Sequence, residues 1–199
     1  MPIDITDIDY VDGDDNTAGI GLYIMFAKLS DIATLPTPIV DDSTKNGSFA
    51  NLVTIAGNIV MKTGKVFRKI YVTLETGKLD HESQGDIDGH SFLNKVEFLI
   101  PGSKAEALGF AQWAKNSSLI MLVQEQDSTV RMLGHALYPA KMISAPGTTG
   151  QKSADRKSTT FTFQSARKGP APIFTGSVLL SSPGSTVDLN NDGKQDLFF

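Results

Sequence analysis

The chain has 199 residues, of which 40% are hydrophobic and 20% charged, so it is long enough for one good-sized domain and too apolar to be wholly disordered. Its formal net charge of −4 argues against a general nucleic-acid binder, which needs a basic surface to release counterions from phosphates. The absence of cysteine excludes disulfides, thiolate metal sites and a cysteine nucleophile. Because neither a secretory signal nor a membrane-spanning apolar run is visible, we expect a soluble protein made in the cytoplasm and no membrane partner.

Charge and composition divide the chain into three parts. Residues 1–50 hold nine Asp and two Lys, a net charge of −7, whereas residues 51–199 carry a net charge of +3. Such an acidic stretch is typical of a solvated segment. We therefore predict an acidic N-terminal arm and loop over residues 1–50, a β-sandwich over residues 51–180 and a C-terminal extension over residues 181–199.

A long hairpin is predicted in the first half of the sandwich. Apolar and polar residues alternate from 65 to 75, which is typical of a strand with one buried face. Its expected partner covers residues 91–100, where Phe92, Val96 and Phe98 share a face. The tract between them, residues 78–88, is too hydrophilic for a core, and the Asp-Gly pair at 88–89 suits a tight turn. The hairpin should therefore extend beyond the body of the domain.

One helix is predicted at about residues 103–116. Ser103 and Glu106 have the spacing of a capping box, and Ala107, Phe110 and Ala114 recur at helical intervals. The continuous apolar run at 119–123 predicts a strand covered on both faces. Further strands are expected at 130–137, 158–165 and 173–180. The fold class is therefore mainly β: a β-sandwich or barrel with one α-helix and a long projecting hairpin.

Catalytic chemistry finds little support in the sequence. His81 and His90 lie among acidic residues, but no third ligand stands at a metal-binding spacing, so a solvated surface is the simpler interpretation. The glycine-rich stretch at 147–153 has an extra residue before Lys152 and lacks the strand-to-helix context of a phosphate loop. No nucleophile–base pair is recognisable. We therefore expect no catalytic residues and no enzyme.

The C-terminal extension contains a motif with calcium-loop spacing, Asp-x-Asn-x-Asp-Gly-x-x-Asp. Side-chain oxygens at the first, third, fifth and ninth positions and one backbone carbonyl would coordinate the ion, but the twelfth position is Phe199 and not Glu, so affinity would be weak. The alternative is a plain hairpin turn at Asn-Asp-Gly. The candidate metal ligands are Asp188, Asn190, Asp192, Lys194 (through its carbonyl) and Asp196.

The order and spacing of several short motifs between Ile55 and Gly176 resemble those of bacteriophage tail tube proteins. These motifs are Gly85-Asp86-Ile87-Asp88-Gly89, Lys95-Val96-Glu97-Phe98, Pro101-Gly102-Ser103, Ala107-Leu108-Gly109-Phe110, Ala145-Pro146-Gly147-Thr148-Thr149-Gly150, Ala154-Asp155-Arg156-Lys157, Phe161-Thr162-Phe163 and Pro170-Ala171-Pro172-Ile173-Phe174-Thr175-Gly176. The acidic first 50 residues and the calcium-like tail fall outside this resemblance.

The resemblance implies a virion protein, assembled in the host cytoplasm, whose hexameric rings stack into a tube for genome delivery. Type VI secretion inner-tube proteins are similar in fold. The implied partners are other copies of the chain and other tail proteins, and DNA would pass without specific binding. Asp80, Glu82, Asp86 and Asp88 would belong to the projecting hairpin, facing either the lumen or the next ring. Lys152, Arg156 and Lys157 would form a basic loop that meets an acidic surface of a neighbour, unless it is simply solvated.

A second function class remains open at this point. A calcium-stabilised extracellular β-sandwich could recognise carbohydrate or a host surface, and it would need an aromatic platform in a concave face. The only tryptophan is Trp113, which falls on the predicted helix. The sequence therefore favours the structural subunit over the binding module.

Overall fold

The computed structural model describes residues 7–8, 12, 17–38, 47–180 and 186–188. Within these residues the chain forms mainly strands, with two α-helices and one short 3-10 helix at Leu29–Asp31. The helices are α1 (Phe49–Leu52) and α2 (Ala105–Ala114). The strands are β1 (Ile20–Lys28), β2 (Ile32–Thr34), β3 (Thr54–Ile55), β4 (Val60–Met61), β5 (Arg68–Tyr71), β6 (Lys78–Gln84), β7 (Ser91–Pro101), β8 (Leu119–Glu125), β9 (Val130–Leu133), β10 (Lys141–Ser144), β11 (Gly147–Thr148), β12 (Ser158–Arg167), β13 (Ile173–Phe174), β14 (Ser177–Leu179) and β15 (Thr186–Asp188).

Two sheets form the body of the molecule. The larger has six strands in the order β3-β13-β9-β8-β1-β5, and the other follows the path β10-β12-β7-β6, with β11 also pairing with β12. Only the β3–β13 pair of these is parallel. The predicted mainly β, sandwich-like fold is confirmed. No helix in the described ranges has the length and apolarity that a membrane span requires.

The six-stranded sheet is buried on both faces, as the apolar run at 119–123 predicts. Leu119, Met121 and Val123 of β8 point into the core between the two sheets, which we call the inner core. Ile120 and Leu122 point the opposite way, into a second cluster that we call the outer core. The inner core also contains Ile24, Val96, Phe98, Phe161 and Phe163, and the outer core contains Met25, Ile55, Phe67, Met132 and Phe174. Each such large side chain contributes about 1.5–3 kcal/mol through burial.

The division predicted at residue 50 is wrong for β1. This strand pairs with β8 on one side and β5 on the other, so it lies inside the larger sheet. Ile24 and Met25 supply the two cores from its opposite faces. The acidic count over 1–50 comes mainly from aspartates outside residues 20–34, and averaging the charge concealed the apolar run between them. The sandwich therefore includes residues N-terminal to 51.

The predicted hairpin exists, but with a different first strand. Residues 65–75 contain only the short strand β5, which pairs with β1 in the six-stranded sheet. The partners of β7 are β12 and the polar tract itself, which forms β6. Because β6 lies at a sheet edge and its residues are mostly exposed, it forms a strand without the apolar alternation that predicts one. Residues 80–90 are exposed throughout, as expected of a hairpin that projects.

The predicted helix is confirmed as α2, whereas its predicted capping box is wrong. Lys104 occupies the N-cap, and no side chain there bonds to a free amide. Gly102, two residues earlier, has a φ of +83° and donates its N–H to the carbonyl of Lys157 at 2.7 Å. This bond holds the chain so that the helix starts after Lys104, one residue later than the predicted cap at Ser103. Phe110 packs edge-on against Phe26 and Phe161 at 5.2 and 5.3 Å between ring centroids, and so closes one end of the inner core.

Backbone hydrogen bonds join the two sheets at two corners. At one corner Leu119 and Ala140 exchange N–H···O=C bonds of 3.1 and 2.8 Å. At the other corner Thr73 donates its N–H to the carbonyl of Leu99 at 2.9 Å, immediately before the chain crosses from β5 to β6. The sandwich is therefore partly closed, in the manner of a barrel.

Candidate functional site

The four-strand path β10-β12-β7-β6 has one apolar and one polar face. Its inward face carries Val96, Phe98, Phe161 and Phe163, all fully buried in the inner core. Since side chains alternate along a strand, their sequence neighbours lie on the opposite face. The observed register groups these outward residues as Leu93, Lys95, Glu97 and Leu99 of β7, Thr160, Thr162, Gln164 and Ala166 of β12, Lys78, Asp80 and Glu82 of β6, and Lys141 and Ser144 of β10. We call this set the polar face.

The charges of the polar face balance. Three lysines (78, 95 and 141) stand among three carboxylates, Asp80, Glu82 and Glu97. Lys78 and Asp80 form an ion pair of 2.8 Å, and its hydrogen bond raises the pKa of Lys78 above its ordinary value. Both side chains are about half exposed, so the pair contributes little to stability. The polar face therefore has neither the basic field of a phosphate-binding groove nor a strongly acidic one.

The two borders of this path are open within the described part of the chain. The backbone of β6 pairs with β7 on one side, and none of the described residues bonds to its other side. At the opposite border, β10 and β11 both pair with β12 and leave their outer sides without a described backbone partner. A row of unpaired N–H and C=O groups is a template for pairing with another chain. This sheet therefore offers two different pairing edges.

The four predicted hairpin residues lie along the open edge and its turn. Asp80 and Glu82 belong to β6, and Asp86 and Asp88 belong to the exposed turn between β6 and β7. The turn requires Gly85 at φ +115° and Asp88 at φ +66°, conformations that glycine and aspartate tolerate best. Asp80, opposite Lys95, therefore lies midway along β7, whereas Asp86 and Asp88 lie in the turn at its Ser91 end.

The predicted basic loop lies at the other end of the same strands. Lys152, Arg156 and Lys157 precede β12, whose first residue pairs with the last residue of β7. The carboxylate of Asp155 accepts the backbone N–H groups of Lys152 at 2.7 Å and Gln151 at 2.8 Å, and these bonds lower its pKa. A strand of the length of β7, roughly 35 Å, therefore separates the acidic turn from the basic loop.

The predicted calcium motif falls almost entirely outside the described residues. Asp188 ends β15, which pairs with β14, whereas Asn190, Asp192, Lys194 and Asp196 lie beyond residue 188. Across the described ranges, no group of three or more His, Asp or Glu side chains is placed to hold a metal ion. Calcium binding by the C-terminal motif stays a prediction.

Sequence reasoning did not predict the polar face as a surface. The alternation on β7 and β12 was visible, but their pairing and the placement of β6 beside them were not.

A scan against protein-family models, a search of curated proteins and a search of solved structures each found no match for this chain.

Proposed function

We propose that this chain is a structural subunit of a bacteriophage tail tube, with other copies of itself as its main partners. The observation that carries the proposal is the pair of open edges on opposite borders of one sheet. Pairing β6 of one copy with β10 of the next would continue the four-strand path from subunit to subunit. Because the two edges differ, the contact is head-to-tail, and such contacts close into rings when the rotation between copies permits.

The polar face supports its assignment to the lumen of the ring. Its opposite side is already committed to the inner core, so an extended sheet can turn only the polar face to an enclosed channel. Six balanced charges on three of the four strands give transiting DNA no basic stripe to bind. The geometry therefore suits passage without specific binding.

Charge placement along the strands supports stacking of rings. The segment from Asp80 to Asp88 carries four carboxylates, whereas the loop from Lys152 to Lys157 carries three cations and one carboxylate. The turn that holds Asp86 and Asp88 lies at the opposite end of the sheet from the basic loop, so copies stacked in the same orientation bring the acidic turn of one ring towards the basic loop of the next. A ring number of six, a virion location, assembly in the host cytoplasm and contacts with other tail proteins are proposals from the resemblance alone.

No specific observation favours the alternative function of carbohydrate binding. Trp113 lies on α2, where its ring packs against Phe26 at 5.9 Å, with the ammonium of Lys28 4.7 Å from the ring centroid. These contacts from the same chain cover part of the ring of a residue that is 39% exposed. A structural role without catalysis is therefore the function that we propose.

Edge pairing can be tested by electron microscopy of the purified chain and two proline variants, His81→Pro and Glu82→Pro. Successive N–H groups of a strand point to opposite sides, so one variant removes a bond to β7 and the other removes a donor from the open edge. We expect rings or tubes from the unmodified chain. The variant that keeps its bonds to β7 and loses only the donor at the open edge should remain a folded, unassembled monomer. A monodisperse monomer at high concentration of the unmodified chain would contradict the proposal.

Stacking can be tested separately by charge reversal. The variant Glu82→Lys/Asp86→Lys and the variant Lys152→Glu/Arg156→Glu should each form rings but few tubes. A chain carrying all four changes should stack again, because the two charged ends are exchanged. If all three variants stack like the unmodified chain, the charged segments do not face each other between rings.

A further inference from the structure

A cleft of about 660 Å³ lies at the end of the sandwich near the start of β7, away from the polar face. Its volume falls within the range of about 300–1,000 Å³ typical of ligand sites, which suits a few side chains of a peptide and not a folded domain. The residues that line it include Leu35, Pro38, Leu52, Leu137, Arg167 and Lys168.

The wall of the cleft is held by the body of the protein. The amide of Asn94, a residue only 2% exposed, donates to the carbonyl of Gly169 in the wall at 3.2 Å. Arg131 donates through Nε to the nearby carbonyl of Ala171 at 2.7 Å. Leu137, which also lines the cleft, is 82% exposed. The cleft is therefore largely pre-formed and presents uncovered apolar surface.

The chemistry of the lining selects the class of occupant. Its surface is mainly apolar, Arg167 and Lys168 add positive charge, and no Asp or Glu occurs among its described lining residues. Lys168 is exposed, so its ammonium is accessible to a partner. An extended segment that alternates apolar and acidic side chains would satisfy both features.

Residues 3–12 of this chain have that pattern. They contain four aspartates, no Lys or Arg, and five large apolar side chains in the order Ile3, Ile5, Ile8, Tyr10 and Val11. Of these positions the structure describes 7, 8 and 12; Ile8 is 88% exposed and Asp7 and Asp12 are exposed too, so these three side chains are not buried in the cleft of their own chain. We infer that residues 3–12 of a second copy occupy the cleft, with apolar side chains inside and carboxylates towards Lys168. The inference does not require that rings form.

The absence of cysteine provides a clean test by disulfide trapping with full-length chains. Ile8→Cys in one chain and Leu137→Cys in a second, mass-labelled chain should give a mixed dimer under mild oxidation. Leu108→Cys is the matched control, because Leu108 is an exposed leucine on α2, near the opposite end of β7. We expect at least fivefold more mixed dimer with Leu137→Cys than with Leu108→Cys.

Charge dependence adds a second readout. Lys168→Glu in the Leu137→Cys chain should lower the yield of mixed dimer severalfold, Lys168→Arg should retain it, and Lys115→Glu, an exposed site at the end of α2, should leave it unchanged. Equal yields with the Leu137 and Leu108 cysteines would overturn the inference. So would a chain carrying both Ile8→Cys and Leu137→Cys that closes mainly within itself. Rings without the mixed dimer would refute this inference alone, whereas the mixed dimer without rings would refute only the proposed tube.

Discussion

The two sheets of this molecule differ in how many of their faces and edges are exposed to water. The six-stranded sheet is covered on both faces, and its edge strands β3 and β5 are only two and four residues long. The other sheet covers one face only and exposes a seven-residue edge, β6. Short edges are a common protection against pairing with other chains, and this protection is missing at the β6 border of the second sheet, whereas β10 at its other border has four residues. Under the proposed function, the first sheet serves folding and the second serves contact with other copies.

The largest expected effect separates the two sheets by stability. Leu122→Ala empties a fully buried position of β8 and should lower the free energy of unfolding by about 2–5 kcal/mol. Leu93→Ala makes the same change on the partly buried polar face of β7 and should cost less than about 1 kcal/mol. Denaturant unfolding of the dilute, monomeric chain measures both. Equal losses would show that the polar face is as much a core as the larger sheet.

A smaller effect tests the corner that joins the sheets. Gly134 has a φ of +99°, and a Cβ there would lie 2.8 Å from both the nitrogen of Ala140 and the carbonyl oxygen of Leu119. Gly134→Ala should therefore destabilise the chain by about 1–3 kcal/mol. Gly109→Ala is the matched change on exposed α2, where a Cβ meets nothing within 4 Å, and it should stabilise by about 0.5–1 kcal/mol. Thermal unfolding of both variants checks the sign as well as the size.

The buried elements could be predicted from sequence because their signals are local. The apolar run of β8, the spacing of Phe110 and Ala114 on α2, and the inward Phe161 and Phe163 each follow from periodicity within a few residues. Burial on both faces of β8 also follows, because a continuous apolar run leaves no face for water. These features place the cores without any knowledge of pairing.

The open sheet could not be predicted in the same way. The strand β6 has a polar sequence and forms because β7 lies beside it, so its signal is tertiary and not local. The alternation at 65–75 suggested the wrong partner for β7 because a sequence does not specify which of two nearby strands pairs. The acidic and basic candidate residues were identified from charge, but their placement at opposite ends of one sheet depends on the β7–β12 register.

Among the described residues, β15 pairs only with β14 and belongs to neither of the two large sheets. The calcium prediction therefore concerns a third region, the C-terminal segment. If Asp188 and Asp192 bind the ion, calcium at ten times its dissociation constant should stabilise the chain by about 1.4 kcal/mol. Chelation should then lower the melting temperature by a few degrees, and Asp188→Ala or Asp192→Ala should remove that difference. Asp86→Ala, in the hairpin turn, is the control that should leave it intact. Identical melting with and without chelator would leave the motif as a plain turn.

The smallest expected effect concerns the basic loop at the end of the open sheet. Two backbone N–H groups lower the pKa of Asp155, so its carboxylate stabilises the folded loop at pH values above its ordinary pKa. Because the folded pKa is the lower of the two, this contribution disappears as the pH falls below about 4 and through the folded value. The amide proton shifts of Gln151 and Lys152, followed by NMR, should titrate together there. Asp155→Asn keeps an acceptor without a titrating charge and should abolish that titration. Shifts that persist in the Asn variant would assign them to another group and would leave the orientation of Lys152 independent of Asp155.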